Sequence, residues 1–277
     1  MVQMLRKDLE RFIEEDLPYG DVTTRNVVDE KEVTAKIHCN QKAVLSGTKE
    51  AIEVFKYFDL EFEQHREEGE VLEPKIEVFD VFGDSRDILK SERLVLNFLT
   101  KMSAISTKTR KAIEKAKKIN PEVKVAGTRK TTPGFREFEK RAIKVGGGEK
   151  HRMNLSDSVL IKDNHIKIMG FEEVLNRLKN IDFTKKVEVE VEDKEQANKA
   201  ISYPIDILML DNFSPKEVEE TLDSLEPQIR KDITIEVSGG ITLENIREYA
   251  GKDVDIISMG SLAHSVDGVD FSLEIIN

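Results

Sequence analysis

The chain of 277 residues has room for one large domain or two of moderate size. Its charged fraction of 35% is above the ~25% typical of soluble domains, and its net charge of −11 argues against a nucleic-acid binder, which needs a basic field. No stretch approaches the ~20 apolar residues of a membrane-spanning helix. The single cysteine, Cys39, excludes a disulfide framework and a cysteine-based zinc site. Because the first residues lack the apolar core of a signal peptide, we expect a cytoplasmic protein with no membrane or nucleic-acid partner.

The first 120 residues combine a strand-rich segment with helices. Leu5, Leu9, Phe12 and Ile13 recur at helical spacing and predict an amphipathic helix that ends before Pro18. Apolar alternation predicts several strands within residues 31–83. Helices are predicted over residues 47–58 and, as one or two long helices, over residues 89–119.

After Pro121 the pattern changes to short apolar strands that alternate with helices. The predicted strands lie near residues 124–126, 158–161, 187–191, 207–210, 234–237 and 256–259. The predicted helices include residues 171–178, 194–201, 215–225 and 243–250. Repeated strand–helix units favour a parallel sheet, closed or doubly wound. Most of these strands end in a charged or glycine-rich cluster, which favours a (β/α) barrel with its site at the carboxyl ends of the strands. The domain boundary is expected near residues 102–111.

A basic segment lies inside this acidic chain. Residues 127–167 contain ten lysines and arginines and five acidic residues, a local charge of +5 that leaves −16 on the remainder. A cleft of one sign concentrates a ligand of the opposite sign, so the segment suggests a small anionic ligand. Alternatively, several of these charges pair with one another on a helix over residues 135–144.

Two loops in this segment carry candidate anion-binding residues. The sequence TRKTTPG follows a predicted strand and includes Arg129 and Lys130. Arginine presents a planar fork to a carboxylate or a phosphate, and lysine acts as a point charge. A triple glycine, residues 146–148, leads to His151 and Arg152. A surface turn and a plain loop are the alternative interpretations.

Lys162 ends the predicted strand VLIK, and its amine could bind an anion, form a Schiff base or extend into solvent. The alternating sequence VEVEVE puts Glu188, Glu190 and Glu192 on one face of a strand. In a barrel these carboxylates face the interior and require cations, and at a sheet edge they are solvated. Asp211 ends the next strand and could complete a Mg²⁺ site with one of the glutamates.

The last two predicted strands end in glycine loops. One loop contains Ser238, Gly239 and Gly240, and the other contains Gly260 and Ser261. Glycine lets main-chain amides approach a phosphate closely, and a following helix amino terminus favours negative charge. Two such loops on the last strands are typical of the phosphate-binding end of (β/α) barrels.

Taken together, these segments resemble the quinolinate phosphoribosyltransferase family over nearly the whole chain. The matching motifs are EDLPYGDVTT, ERLVLNFL, GTRKTTPG, GGGEKHRMNLSDSVLIKDNHI, VEVEVE, MLDNFSP, SGGITLENI and MGSLAHS. The resemblance implies an α/β protein: an incomplete, TIM-like (β/α) barrel over residues 106–265 and an N-terminal α/β sandwich domain over residues 1–105. The tail, residues 266–277, is expected to pack on the sandwich domain.

The resemblance also implies an activity. It implies phosphoribosyl transfer from 5-phosphoribosyl-1-diphosphate (PRPP) to quinolinate, with decarboxylation to nicotinate mononucleotide. It further implies Mg²⁺, no organic cofactor, and a homodimer or higher homo-oligomer.

The resemblance assigns roles to individual residues. Those matching quinolinate-binding residues are Arg93, Arg129, His151, Arg152 and Lys162, with Arg93 donated across the subunit interface. Those matching PRPP- and phosphate-binding residues are Lys130, Glu190, Asp211, Ser238, Gly239, Gly240, Gly260 and Ser261. Lys130, Glu190 and Asp211 are the predicted catalytic residues, and Glu190 and Asp211 the predicted Mg²⁺ site, by direct or indirect contact.

Two departures from the family pattern are small, and neither removes a charged contact. Asn154 and Ala104 stand where relatives often have glycine. The related ModD proteins share the GTRKT and HR motifs, but the intact IKDNH favours quinolinate as substrate. A Schiff-base aldolase that uses Lys162 is the alternative enzyme class, and a non-catalytic ligand-binding barrel is a third hypothesis.

Overall fold

A computed structural model describes residues 6–276, with the side chain of Arg6 excepted. The chain divides into two compact units, one formed by residues 1–108 and 266–277 and the other by residues 109–265. Within residues 6–276, no helix has the length and apolar character needed to cross a bilayer.

Helices and strands alternate along most of the chain. The helices are α1 (Arg6–Asp16), α2 (Val22–Val27), α3 (Thr48–Tyr57), α4 (Ser85–Lys117), α5 (Arg136–Val145), α6 (Asp163–Met169), α7 (Phe171–Asn176), α8 (Lys194–Ala200), α9 (Pro215–Leu222), α10 (Pro227–Asp232), α11 (Ile246–Ala250) and α12 (Ser261–His264). The strands are β1 (Glu32–Cys39), β2 (Ala43–Val44), β3 (Glu61–Gln64), β4 (Val71–Leu72), β5 (Ile76–Asp84), β6 (Lys124–Gly127), β7 (Val159–Ile161), β8 (Val187–Val191), β9 (Ile207–Asp211), β10 (Thr234–Ser238), β11 (Ile256–Met259) and β12 (Phe271–Ile276). A 3₁₀ helix over Arg177–Asn180 follows α7.

The first unit is built on a four-stranded antiparallel sheet in the order β12-β1-β5-β3. Alternate residues of β1 are buried, namely Ala35, Ile37 and Cys39, because successive side chains of a strand point to opposite faces. The ring of Phe79 on β5 packs edge-on against Phe55 of α3, with centroids 5.5 Å apart. The sheet therefore buries one face under a helix. The C-terminal strand β12 pairs with β1 over six residues.

The second unit is built on six parallel strands in the order β6-β11-β10-β9-β8-β7. Strands β8, β9 and β10 are its central members and consist largely of buried residues. The terminal strands β6 and β7 form no ladder with each other among the described residues, and an isolated bridge joins Ala126 to Glu149. The sheet is thus an incomplete barrel with helices between its strands, which confirms the predicted fold class.

All six strands predicted after Pro121 are present, and the long central helix α4 is a single helix of 33 residues. The amphipathic helix α1 ends at Asp16, before Pro18 as predicted, while Leu5 lies outside the described residues. The helix predicted over residues 243–250 begins only at Ile246, because turns occupy the residues after the glycine loop. Both α6 and α10 were absent from the sequence prediction, since each is too short to show helical periodicity.

Candidate active site

A cavity of about 530 Å³ lies at the carboxyl ends of the strands of the second unit. Its lining includes every predicted site residue except Arg93: Arg129, Lys130, His151, Arg152, Lys162, Glu190, Asp211, Ser238, Gly239, Gly240, Gly260 and Ser261. Additional lining residues that the sequence prediction missed are Thr128, Thr242, Ser258, His264 and Glu236, together with apolar residues such as Leu160 and Met209. Five of the lining residues are cations of the basic segment, counting His151 as one when protonated. The residues predicted to bind anions therefore line a single cavity.

The loop after β6 carries Arg129 and Lys130, and two side chains of α5 hold it in place. Glu139, which is fully buried, accepts hydrogen bonds from the main-chain N–H of Thr132 at 2.9 Å and from its hydroxyl at 2.8 Å. Arg136 donates from Nε to the Thr131 hydroxyl at 3.0 Å. Glu139 and Arg136 therefore support the loop that carries Arg129 and Lys130.

Lys140 of α5 is fully buried and connects two loops of the site. Its ammonium donates to the main-chain carbonyls of Gly127 at 2.8 Å, Lys150 at 3.2 Å and His151 at 2.7 Å. Burial lowers the pKa of Lys140 to about 7. An ammonium has three N–H donors, and three carbonyls meet them. Lys140 thus links the end of β6 to the segment that carries His151 and Arg152.

Arg129 and Arg152 face the cavity with unused hydrogen-bonding capacity. The Nε atom of each is buried and has no hydrogen-bond partner among the described residues. Arg152 is 9% exposed and donates from one terminal nitrogen to the carbonyl of Ser158. Its pKa is lowered by burial and then by the charge of Arg129. Two guanidinium groups, one half-buried and one buried, thus lie close enough to repel each other, and each has an Nε–H group with no partner among the described residues; an anion would satisfy both.

His151 and the glutamates of the barrel interior form a second cluster. His151 Nε2 lies 2.7 Å from Oε2 of Glu188 on β8 and 3.8 Å from Oε2 of Glu236 on β10. The hydrogen bond to Glu188 raises the pKa of His151. Burial, followed by the charge of Glu188, raises the pKa of Glu236 to about 7.

The alternation of β8 has the predicted consequence for its glutamates. Glu188 is 0% exposed and Glu190 is 8% exposed, so the solvated sheet-edge interpretation is wrong for both. Glu192 follows the last residue of the strand and is exposed. Glu190 forms an ion pair with Lys162. Burial raises the pKa of Glu190 against the effect of Lys162, and the charge of Asp211 adds to the rise.

Lys162 is therefore an ion-pairing residue with a side chain that is 44% exposed. A Schiff-base lysine needs a neutral amine, which apolar burial or a neighbouring cation provides. Lys162 has neither feature, since it pairs with a carboxylate and is partly in contact with solvent. The geometry thus argues against the aldolase alternative.

The glycine loop after β10 leaves main-chain donors free. The N–H groups of Gly239, Gly240 and Ile241 donate to no other described residue. Gly239 has φ +86°, and a Cβ there would approach Asn212 Oδ1 to 2.2 Å, so only glycine fits. The loop follows the predicted phosphate-binding pattern. Because α11 begins at Ile246, these free amides belong to the loop and not to the amino terminus of the helix.

The second glycine loop, which contains Gly260 and Ser261, lies next to Lys130 of the loop after β6. A Cβ at Gly260 would approach the Lys130 side chain to 2.9 Å and Thr128 Oγ1 to 3.3 Å. Ser261 carries a buried hydroxyl with no partner among the described residues. Glycine at position 260 therefore permits Lys130 to extend across the end of β11.

Arg93 lies on α4 in the first unit. Its side chain is 65% exposed, and its nearest acidic neighbour is Glu92 of the same helix, at 3.9 Å.

Comparisons with known proteins agree with this arrangement. The family described as "Quinolinate phosphoribosyl transferase, C-terminal domain" matches residues 105–274, and the corresponding N-terminal domain matches residues 21–103. The chain belongs to the quinolinate phosphoribosyltransferase family. The resemblance seen in the motifs is thereby confirmed.

Individual members of the quinolinate phosphoribosyltransferase family resemble the chain along almost its entire length. A probable nicotinate-nucleotide pyrophosphorylase [carboxylating] of Archaeoglobus fulgidus is 44% identical, over 94% of this chain and 100% of the relative. The human nicotinate-nucleotide pyrophosphorylase [carboxylating] is 37% identical, over 87% of this chain and 82% of the relative. The crystal structure of the Ehrlichia chaffeensis nicotinate-nucleotide pyrophosphorylase superimposes with a TM-score of 0.93 at 30% identity, with each chain fully covered.

Proposed function

We propose that the protein transfers phosphoribose from PRPP to quinolinate and decarboxylates the product to nicotinate mononucleotide, with release of CO₂ and diphosphate. The proposal is supported by family membership and by relatives that are named carboxylating pyrophosphorylases. The observation that carries it from the site itself is the pair of buried, unpartnered Nε atoms of Arg129 and Arg152 in one cavity. Quinolinate is a dianion with two adjacent carboxylates, which suits two guanidinium groups.

The cations of the cavity are proposed to bind and orient quinolinate. Arg129 and Arg152 hold its carboxylates, with His151 and Lys162 as further cationic contacts. Fixing the ring in this way directs its nitrogen toward C1 of the ribose and replaces a bimolecular encounter by an oriented one. A bond forms between the ring nitrogen and C1 while the bond from C1 to the diphosphate oxygen breaks, and diphosphate leaves with the electron pair.

PRPP is proposed to lie along the glycine loops. The free amides of residues 239–241 can donate to the 5-phosphate, together with the hydroxyls of Ser238 and Ser261. Lys130, which lies beside Gly260, can meet the diphosphate.

Mg²⁺ is proposed to arrive with PRPP, and the donor set of the cavity suits it. Glu190 and Asp211 are two carboxylates close enough that Asp211 raises the pKa of Glu190. Mg²⁺ commonly takes one or two carboxylates and completes its shell with phosphate oxygens and water. When bound, the ion would neutralise charge on the departing diphosphate.

Decarboxylation needs no organic cofactor in this proposal. Once the ring nitrogen carries the ribose, it is positively charged and stabilises the electron pair left when the neighbouring carboxylate departs as CO₂. A proton then completes the ring carbon.

Two further properties are proposed from the family resemblance. One is a homodimer, or a higher homo-oligomer, in which Arg93 enters the site of the partner subunit; its long, exposed side chain is consistent with such a role. The other is a cytoplasmic location.

The reaction is tested by incubating the protein with quinolinate, PRPP and MgCl₂ and measuring nicotinate mononucleotide, CO₂ and diphosphate. Stoichiometric formation of all three supports the proposal. Replacing quinolinate by nicotinate tests the decarboxylating step, because nicotinate lacks the carboxylate that is lost. Turnover of nicotinate but not quinolinate would overturn the proposed substrate.

A further inference from the structure

Glu188 is a buried carboxylate whose partner is an active-site histidine. Its side chain is 1% exposed, and Oε2 lies 2.7 Å from Nε2 of His151. Its other oxygen, Oε1, is buried without a hydrogen-bond partner among the described residues. Burying a carboxylate is costly unless a cation or donors meet it. A carboxylate held at this cost next to a cavity residue indicates a role toward that residue.

The contact between Glu188 and His151 bears on which ring nitrogen of His151 carries a proton. An ionised carboxylate only accepts hydrogen bonds, so Nε2 is the donor in this contact whenever Glu188 is ionised. Nδ1 has no hydrogen-bond partner among residues 6–276, and His151 lines the cavity. A second proton on Nδ1 would therefore be available to a bound anion.

We propose that Glu188 is a positioning residue that fixes the ring of His151 and keeps it an imidazolium, with Nδ1–H free to donate to a carboxylate of the substrate. The identity of that substrate rests on the proposed function. The protonation state of the His151 ring in the free protein is independent of the proposed function. Glu188 itself need not touch the substrate, because it acts through His151.

The charged groups around His151 favour this state on balance. Glu188 on β8 and Glu236 on β10 face it with carboxylates, and Lys140 on α5 opposes them with an ammonium. The hydrogen bond that His151 donates to Glu188 is the largest effect and raises the pKa of His151, while burial acts in the opposite direction. Glu236 raises the pKa of His151 only when Glu236 is ionised, so Glu188 is the more important partner near neutral pH.

Histidine NMR tests the proposal without any substrate. The chain has five histidines, and the signals of His151 can be identified by their loss in His151→Asn. In the wild-type protein we expect His151 to titrate above the ordinary value of ~6.5. At high pH its ¹⁵N shifts should report the proton on Nε2. A neutral ring at pH 6.5, or a proton on Nδ1 at high pH, would overturn the proposal, and these spectra require no variant at position 188.

Glu188→Gln removes the charge and keeps the shape. We expect the midpoint of His151 to fall by about one pH unit or more, since one unit corresponds to ~1.4 kcal/mol, the scale of a charged hydrogen bond. Glu192→Gln is the matched control, because Glu192 follows the same strand and is exposed. It should leave the midpoint in place. Equal midpoints in wild type and Glu188→Gln would contradict the role of Glu188.

Calorimetry links the ring to ligand binding. At pH 7.5, Glu188→Gln should weaken quinolinate binding about tenfold, an effect of ~1.4 kcal/mol, and leave PRPP binding unchanged. Equal loss of both ligands would indicate a general structural defect and would count against a positioning role. Failure of the wild-type protein to turn over quinolinate would overturn the proposed function instead, and the titration of His151 would still decide the state of the ring.

Discussion

The ammonium of Lys140 donates a hydrogen bond to the main-chain carbonyl of His151 across 2.7 Å. The same ammonium reaches the carbonyl of Gly127, at the end of β6. A side chain of α5 thereby ties together the two segments that carry Arg129 on one side and Arg152 on the other. The geometry of the cations proposed to bind quinolinate therefore depends on Lys140, which has no proposed contact with either substrate.

Lys140→Met should therefore affect both stability and ligand binding. Methionine keeps the volume but removes the donor that one buried and two partly buried carbonyls share, so we expect the free energy of unfolding to fall by about 2–4 kcal/mol. Quinolinate binding should weaken more than PRPP binding, because the released segments carry Arg129 and His151. Urea unfolding and calorimetric titration measure the two effects.

Lys144→Met is the matched control for this change. Lys144 lies one turn further along α5, is exposed, and pairs at 3.3 Å with Glu149. An exposed pair of this kind contributes about 0–1 kcal/mol. If Lys140→Met behaved like Lys144→Met in both measurements, the linking role of Lys140 would be wrong.

Arg152 and Asp211 should separate the two ligands. Arg152→Ala removes a buried guanidinium from the proposed quinolinate site and should weaken quinolinate binding by roughly 2–5 kcal/mol, with PRPP affinity within about threefold of wild type. Asp211→Asn should weaken Mg²⁺–PRPP binding and spare the binding of quinolinate to the free enzyme. Titration of each variant with each ligand alone tests this. Loss of PRPP binding in Arg152→Ala, with quinolinate binding retained, would contradict the proposed division of the site.

Arg93 can be tested by mixing two inactive variants. Arg93→Ala and Lys130→Ala subunits should each be inactive alone and regain activity as hybrids, because the Arg93→Ala subunit keeps Lys130 and receives Arg93 from its partner. Random mixing into dimers makes half of them hybrids with one intact site each, so about a quarter of wild-type activity is expected. Hybrids confirmed by native mass spectrometry but without activity would mean that Arg93 is not donated across the interface.

The sequence predicted the charged ends of the barrel strands well because those residues combine two local signals. Arg129 and Lys162 follow short apolar strands and Asp211 ends one, and parallel strands bring their carboxyl ends to one face. The alternation of β8 likewise predicted buried glutamates. Choosing Glu190 as the residue toward PRPP required the family resemblance, since Glu192 is nearer to the end of the motif.

Lys140 and Glu236, which the sequence analysis did not identify, lack this combination of signals. Lys140 lies among charged residues of α5, and its burial depends on loop carbonyls that only the fold brings together. Glu236 alternates with apolar residues in β10, a pattern that could have indicated an inward carboxylate. The start of α11 was placed too early because propensity does not show how far a glycine loop extends before the first helical turn.

Glu236 should make the stability of the protein depend on pH. Burial raises its pKa from the ordinary 4.5 to about 7, so the folded protein holds a proton that the unfolded chain has lost. The resulting stability is fully present below pH ~4.5 and is lost as the pH rises through ~7. A shift of this size corresponds to roughly 3 kcal/mol. Raising the pH from 5 to 8 should therefore destabilise the wild-type protein relative to a variant that cannot ionise at this position.

Glu236→Gln is that variant, since glutamine resembles the protonated glutamic acid in shape and charge. Its unfolding free energy should exceed that of the wild type by less than about 1 kcal/mol at pH 5 and by up to about 3 kcal/mol at pH 8. His151 also has a raised pKa and contributes with the same sign, but it is present in both proteins, so the difference isolates mainly Glu236. Glu192→Gln serves as the exposed control, and its difference from the wild type should stay constant over this range. Urea unfolding at four pH values between 5 and 8 measures the unfolding free energy of all three proteins. If the difference between Glu236→Gln and the wild type does not grow with pH, Glu236 is ionised in the folded protein throughout this range.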